Sequence, residues 1–539
     1  MKLNLKWISD KISDEYKKWK CGDIVLLQAQ TGTGKTNFIK TKLIDHMEDY
    51  QTMLYVCNRT YLKRQLKIDL LKKYNKPIPR DKEKGNVIDW DKIDNITKIN
   101  NIVITSYHAI QYSVLEEQYK GEKYDLESYD YIILDECHYI LADGNFNNKC
   151  RLAYKRLIKS YSSSTIKIFI SGTMEEIEQP VVNSLNSLLG KKPQVHKYNT
   201  GTDYRYCNVK YFEETETIVN LIRNDKTDEK WLIFVTKLED AYYLEDKLSD
   251  NCSIIKSGTK SEELDTIVNE SKFNKKVLIC TKAMDNGINI ADDKLTNIVV
   301  MAWDKVTFIQ ELGRKRVNID DAQTINLYIP KRYKKSFTTK RMNSSDLLRL
   351  IDLLDNDENE FNKRFDNDLE KIGQVNQLFY RDNITGKWKV NLIGRVRLLK
   401  DMKFYKEMEK RFKNDEFAFI KQQLEWLELE DTFDESNMIE NIPSIEDSLR
   451  LEQYLNNIEG QRLYSDQQQK ISDLIIEELT TISKNVDYRT KKLKPSTIEN
   501  IIRSQLNLKF AVSNIKREDK VIDGKRVIKN YFIITRIKN

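Results

Sequence analysis

Between Asp23 and Met47 the chain reads as one continuous unit. The apolar, β-branched run Ile24-Val25-Leu26-Leu27 leads through Gln28 into Ala29-Gln30-Thr31-Gly32-Thr33-Gly34-Lys35-Thr36, and a helical stretch, NFIKTKLIDHM, follows. A buried strand that passes through a Gly-rich loop into a helix start confines this region to an α/β layer and forms a phosphate cradle. Gly32 and Gly34 let backbone N–H groups approach phosphate oxygens. Lys35 offers a point charge to the β- and γ-phosphates, and the Thr36 hydroxyl can hold Mg²⁺. Ala29 stands where the bare pattern has its first glycine.

A second apolar run, Tyr131-Ile132-Ile133-Leu134, ends in two adjacent carboxylates, Asp135 and Glu136, followed by Cys137 and His138. Asp135 at a strand end can bind Mg²⁺ through water, and Glu136 can orient the water that attacks a γ-phosphate. Both motifs sit in a segment where apolar strands alternate with helix-forming stretches. Strands are expected at 24–29, 53–57, 102–105, 131–135 and 166–171. The pattern repeats with strands near 207–211, 231–235, 252–256, 277–280, 297–301 and 324–329. Such alternation predicts doubly wound parallel sheets with helices on both faces.

In this order the motifs resemble those of the superfamily 2 helicases and translocases of the Asp-Glu-x-His kind, across roughly residues 20–335. Ala29 to Thr36 resembles the family's first motif, where alanine at the opening position is ordinary. Asn58-Arg59-Thr60 and Thr105-Ser106-Tyr107-His108 look like the strand-gripping motifs of the first domain. Ser171-Gly172-Thr173 resembles the coupling motif. The segments 231–241, Thr281 to Asn289 (with Asp285 and Gly287) and Gln310 to Arg316 resemble the fourth, fifth and sixth motifs. The resemblance implies two tandem RecA-like domains, 1–205 and 206–340, with ATP between them and Mg²⁺ as cofactor.

On that resemblance, Lys35, the loop 29–36, Asp285 and Gly287 contact the nucleotide, and Thr36 and Asp135 hold the metal. Glu136 handles the water, His138 links the nucleotide site to the neighbouring domain, and Gln310 and Arg314 complete the site from the second domain. Arg59, Thr105, Ser106 and Thr281 would touch the backbone of the tracked strand. One departure concerns the sixth motif. The family's second arginine stands seven residues after the glutamine, where this chain has Val317, and Arg316 lies one position earlier. On a regular helix Arg314 and Arg316 would point to different faces, so Arg314 is the expected finger. Arg316 serves instead if the segment is not helical.

The chain has 539 residues, enough for three or four domains. Residues 341–480 read as a helical accessory domain, with eleven acidic and two basic side chains between 421 and 460. The last 59 residues, 481–539, carry fifteen Lys or Arg against five Asp or Glu, a net charge of +10, whereas the whole chain carries +7. Here 496–506 and 508–517 read as helices and the stretch around Asp523-Gly524 as a hairpin. Two helices and a basic hairpin look like a winged helix.

Seven scattered cysteines without a Cys-x-x-Cys pair fit a reducing cytoplasm, and zinc is not expected. The charged start of the chain is not a signal peptide, and no membrane span is expected. The reading is a nucleic-acid-dependent ATPase that acts on DNA rather than RNA, in replication or repair, of a phage or mobile element by analogy. A protein partner is expected on the acidic helical region or the C-terminal module. An RNA helicase on the same motor, or a degenerate motor acting as a recruiting subunit, are the alternatives.

Overall fold

The structure, a computed structural model, describes all residues except 58–59, 82–86, 145, 189–191, 257–258, 260, 282–288, 367–371, 374, 376, 440–444, 483–492, 523–524 and 538–539. Contacts divide the chain into two units, Met1–Tyr211 with Glu229–Asn437, and Phe212–Asp228 with Met438–Asn539.

The first unit contains β1 (Ile24–Gln28), β2 (Met53–Cys57), a short ladder of β3 (Arg80–Asp81) with β4 (Val87–Ile88), and β5 (Lys98–Ile99). It continues through β6 (Ile102–Ser106), β7 (Tyr131–Asp135), β8 (Ile166–Ser171) and β9 (Val195–Asn199). Seven of these strands form one sheet in the order β5-β6-β2-β7-β8-β1-β9, parallel except for β5 at the edge. Near-continuous apolar strands are what a sheet covered on both faces requires. Val25 and Leu27 point into one buried cluster with Tyr55 and Ile133, and Ile24 and Leu26 into another with Leu54 and Ile132. The order places the carboxyl ends of β7, β8 and β1 side by side. Loops at these ends are where an open α/β sheet builds its site.

A second sheet is made by β10 (Cys207–Phe212), β11 (Lys230–Phe234), β12 (Cys252–Ile255), β13 (Val277–Cys280), β14 (Leu295–Val300) and β15 (Ile325–Pro330). Its order is β10-β15-β14-β11-β13-β12. The two sheets with their helices are the two RecA-like domains expected.

The same unit ends in a helical part: helices Lys334–Asn356, Glu358–Phe365, Leu392–Arg411 and Ala418–Trp426. It also holds a hairpin of β16 (Phe379–Arg381) with β17 (Trp388–Val390), which the sequence reading did not include. Its core contains Ile351, Phe361, Phe379, Trp388 and Leu398. The long helix Leu392–Arg411 lies hard against the first sheet domain. The Asn391 amide donates to the Gly144 carbonyl at 3.0 Å, and a Cβ on Gly394 would stand 2.8 Å from that oxygen.

The second unit has helices Thr215–Asn224, Ile445–Asn457, Ser465–Ile482 and Pro495–Asn500, the last running on as a π turn through Ile501–Gln505. Its strands are β18 (Phe510–Val512) paired with β21 (Ile534–Arg536), and β19 (Lys516–Ile522) paired with β20 (Lys525–Tyr531). The stretch 508–517 therefore holds β18 and the start of β19, not the helix expected. Phe510 and Val512 alternate inward at period two and join Phe532 and Ile534 in one core with Leu455, Ile471 and Ile475. The basic hairpin is present, and its expected turn residues lie outside the described residues. The seven cysteines are free thiols. Among the described residues no helix is long and apolar enough to cross a membrane.

The Gly144–Gly394 contact leaves no room for a methyl group. Gly394→Ala should lower the stability of the first unit by about 1–3 kcal/mol through overpacking. Around Gly373, no described atom lies within 4 Å of where a Cβ would be. Gly373→Ala should therefore stay within about 1 kcal/mol of wild type in either direction. Urea melts of the two variants check the contrast.

Candidate active site

The phosphate loop leaves β1 with Gly32 at φ +94° and Gly34 at φ +82°, both in the region that favours glycine. Space is equally tight there. A Cβ on Gly32 would meet the Val317 carbonyl at 3.1 Å, and one on Gly34 the Trp7 ring at 3.2 Å. Thr33 is buried and its hydroxyl donates to the Gln30 carbonyl at 2.7 Å. The Gln30 amide is tied on both sides to the backbone of Asp203. These two side chains shape the loop. The helix begins at Lys35, with Thr36 in its first turn. The Lys35 ammonium donates to the Ala29 carbonyl at 3.3 Å and lies 3.1 Å from Glu136 Oε1.

β7 delivers Asp135 at its last position and Glu136 just beyond it. Glu136 has φ +51°, a left-handed conformation that a non-glycine residue holds at some cost. This turn carries its carboxylate across to Lys35. The other oxygen, Oε2, accepts from Gln310 Nε2 at 3.2 Å and stands 3.4 Å from His138 Nδ1. His138 Nδ1 also lies 2.9 Å from Ser171 Oγ, which accepts from the Thr173 backbone N–H at 3.0 Å. The coupling segment thus connects to Glu136 through one imidazole. The Asp135 carboxylate accepts from the Tyr55 hydroxyl at 2.8 Å, and the Asp135 carbonyl from the Tyr107 hydroxyl at 3.0 Å. Burial pushes both phenols well above the ordinary tyrosine range, so they remain protonated donors. Burial also pushes the Cys137 thiol up, which leaves it an inert neighbour of the carboxylates.

From the second sheet domain, the helix Lys305–Leu312 is capped by Asp304 and presents Gln310 to Glu136. Beyond Leu312 the segment is not a continuing helix. Gly313 and Arg314 form a turn, and Lys315 pairs with Ile290 in a parallel bridge. Ile290 N–H donates to the Arg314 carbonyl, and Arg316 N–H to the Ile290 carbonyl, each at 2.8 Å. Arg314 folds back, with Nε on the Gln310 carbonyl at 3.0 Å and Nη2 on Gln310 Oε1 at 2.7 Å. It orients the glutamine. Arg316 is buried and interacts electrostatically with Glu136 and Asp135. Its burial lowers its pKa, and the two carboxylates act in the opposite direction.

Of the other expected residues, Arg59, Asp285 and Gly287 lie outside the described residues. Thr105 is buried and donates to the Tyr124 hydroxyl at 2.9 Å. Ser106 caps the helix Tyr107–Lys120 by accepting from Ala109 N–H at 3.2 Å. Both side chains are engaged within the fold. Thr281 follows β13, its N–H bonded to the Ile255 carbonyl at 3.1 Å. Sequence reasoning missed Tyr55, whose only signal is a lone phenol in an otherwise apolar strand.

Residues 6–176 match the family model described as type III restriction enzyme, res subunit. Residues 213–317 match the helicase conserved C-terminal domain. The chain carries a superfamily 2 helicase motor. The helicase domains imply ATP-dependent helicase activity. A search of curated proteins finds no match. Among solved structures, the motor is similar to Dbp5 of S. cerevisiae bound to RNA and ADP BeF3, at 18% identity and a TM-score of 0.42, over 59% of this chain and 81% of that one. It is also similar to the helicase Lhr of Mycobacterium smegmatis bound to ssDNA and AMP-PNP, at 15% identity and a TM-score of 0.42, over 73% of this chain and 59% of that one. The helicase MrfA bound to DNA aligns at 15% identity and a TM-score of 0.42, over 71% of this chain and 56% of that one.

The two arginines of the motor separate by experiment. Arg316→Ala should lower kcat by about 10²-fold or more with nucleotide affinity nearly kept, because it removes a buried charge that interacts with Glu136 and Asp135. Arg314→Ala should reduce turnover less and also lower stability by about 1–3 kcal/mol, since Gln310 Oε1 loses its donor. Steady-state kinetics, nucleotide titration and a melt on each variant check this.

Proposed function

We propose that the chain is a nucleic-acid-dependent ATPase that hydrolyses ATP to ADP and phosphate with Mg²⁺ and translocates on or unwinds DNA, in the replication or repair of DNA such as that of a phage or mobile element. One observation carries the reading: Glu136 is held by Lys35 from its own domain and by Gln310 from the other. A water-activating carboxylate shared in this way makes hydrolysis conditional on domain closure, and closure is the motion that a translocating motor needs.

In this reading Lys35 and the loop N–H groups bind the phosphates, Glu136 takes up the proton of the attacking water, and Arg316 stabilises the charge that develops opposite it. Gln310, fixed by Arg314, keeps Glu136 in place. Thr36 and Asp135 would hold Mg²⁺. Their hydroxyl and carboxylate are hard oxygen donors, and Mg²⁺ suits a site with one or two carboxylates plus substrate phosphates. The cation would neutralise phosphate charge. Arg59, Thr105, Ser106 and Thr281 would contact the backbone of the tracked strand.

Lys35→Ala should abolish nucleic-acid-stimulated ATPase. Glu136→Gln should bind ATP yet turn over about 10²-fold more slowly or worse. Wild-type turnover in Glu136→Gln would remove the carboxylate from the mechanism. Stimulation of the wild type by poly-dT over poly-U is expected. The reverse preference would make it an RNA motor, and no turnover with either would leave a recruiting subunit.

The excess of Lys and Arg after residue 480 supports DNA as the track. Lys516, Arg517 and Lys529 are exposed on the β19–β20 hairpin. Reversing all three charges should lower the slope of log K against log salt by about two, at roughly 0.7–0.9 for each phosphate that is no longer neutralised. An unchanged slope, with an unchanged melt, would assign the hairpin to another partner.

A further inference from the structure

Tyr55 is the third residue of β2, the strand beside β7, within the run Met53-Leu54-Tyr55-Val56-Cys57. Its ring is buried among Val25, Ile133 and other residues of one face of the first sheet. A buried phenol needs an acceptor for its O–H. Here that acceptor is Asp135 Oδ2, at 2.8 Å. The Asp135 backbone carbonyl is engaged by a second phenol, that of Tyr107, at 3.0 Å. The side chain and the main chain of one residue are thus each anchored by a tyrosine.

We propose that Tyr55 is a positioning residue for the metal site: its hydroxyl holds the Asp135 carboxylate in one orientation so that Mg²⁺ meets a preformed oxygen donor. The inference rests on the reading of Asp135 as a metal carboxylate. An aspartate at a strand end otherwise gives up side-chain freedom when it binds a cation, and a donor bonded to one of its oxygens removes that cost beforehand. Partners behind a metal ligand orient it in this way, and their loss weakens metal binding by about 10–100-fold. The phenol suits the role because a tyrosine hydroxyl, whose ordinary pKa is about 10, is a neutral donor at neutral pH. As a neutral donor it orients the carboxylate without competing with the cation for its charge.

The test is Tyr55→Phe in the full chain, which keeps the ring and removes only the O–H. Binding of a fluorescent ATP analogue is titrated with Mg²⁺ and, separately, in EDTA, with a melting curve and steady-state kinetics alongside. The expected result is a Mg²⁺ affinity lower by about tenfold or more, an unchanged affinity for the analogue in EDTA, and turnover recovered at high Mg²⁺. A purely structural tyrosine would shift the melt and leave the Mg²⁺ dependence alone, and that outcome overturns the inference. Asp135→Asn separates the two levels of the argument. If it loses the Mg²⁺ dependence while Tyr55→Phe keeps the wild-type value, the positioning role fails and the metal reading stands. If Asp135→Asn keeps the wild-type Mg²⁺ affinity, the reading of Asp135 fails and the role of Tyr55 with it.

Discussion

The ion pair between Lys35 and Glu136 is the interaction around which the motor is arranged. Both side chains are only 11% and 12% exposed, and their charged atoms lie 3.1 Å apart. A charge this far out of water is costly without a partner, and removing one member of such a pair typically costs about 3–5 kcal/mol. The fold meets that constraint through strand order. β1 carries the loop that ends in Lys35, β7 carries the carboxylates, and β8 between them carries Ser171. Glu136 reaches the lysine only because its backbone adopts a positive φ. The strain sits where a nucleotide phosphate has to be handled, a common place to store it.

Around this pair, several contacts join the two sheet domains. Gln310 bonds directly to Glu136. Lys305, at the start of the same helix, pairs with Glu175 at 2.7 Å, four residues beyond Ser171. The accessory helix Leu392–Arg411 then touches both sides, with Lys400 on Glu176 at 2.5 Å and Arg397 3.6 Å from Asp304. A change in the spacing of the domains therefore reaches Glu136, the coupling segment and the accessory helix together. His138 is the shared node, since one nitrogen faces both Ser171 and Glu136.

Much of this was legible from the residues, because the signals were local. Strand positions followed from apolar runs, and the phosphate loop and carboxylate pair from their spacing to those strands. What escaped depended on where elements stop or on what lies across a sheet. Arg314 was expected as the finger on a regular helix, with Arg316 serving if the segment is not helical; the helix ends at Leu312 and Ile290 bridges Lys315. The stretch 508–517 was read as helix because its polar residues mask a period of two, which becomes visible once Phe510 and Val512 share a core with Phe532 and Ile534. Thr105 matched a strand-gripping motif by position, and its hydroxyl also donates to Tyr124, nineteen residues away in sequence. Tyr55 gave no motif at all. Its importance comes from a neighbour eighty residues later.

The most direct test of the account is an experimental structure of the full chain with Mg²⁺ and a non-hydrolysable ATP analogue. The account predicts the γ-phosphate between Lys35 and Glu136, the metal on Thr36 and Asp135, and the Arg316 guanidinium on the phosphate while Arg314 stays on Gln310. An analogue bound elsewhere, or Arg314 on the phosphate with Arg316 turned away, would contradict it.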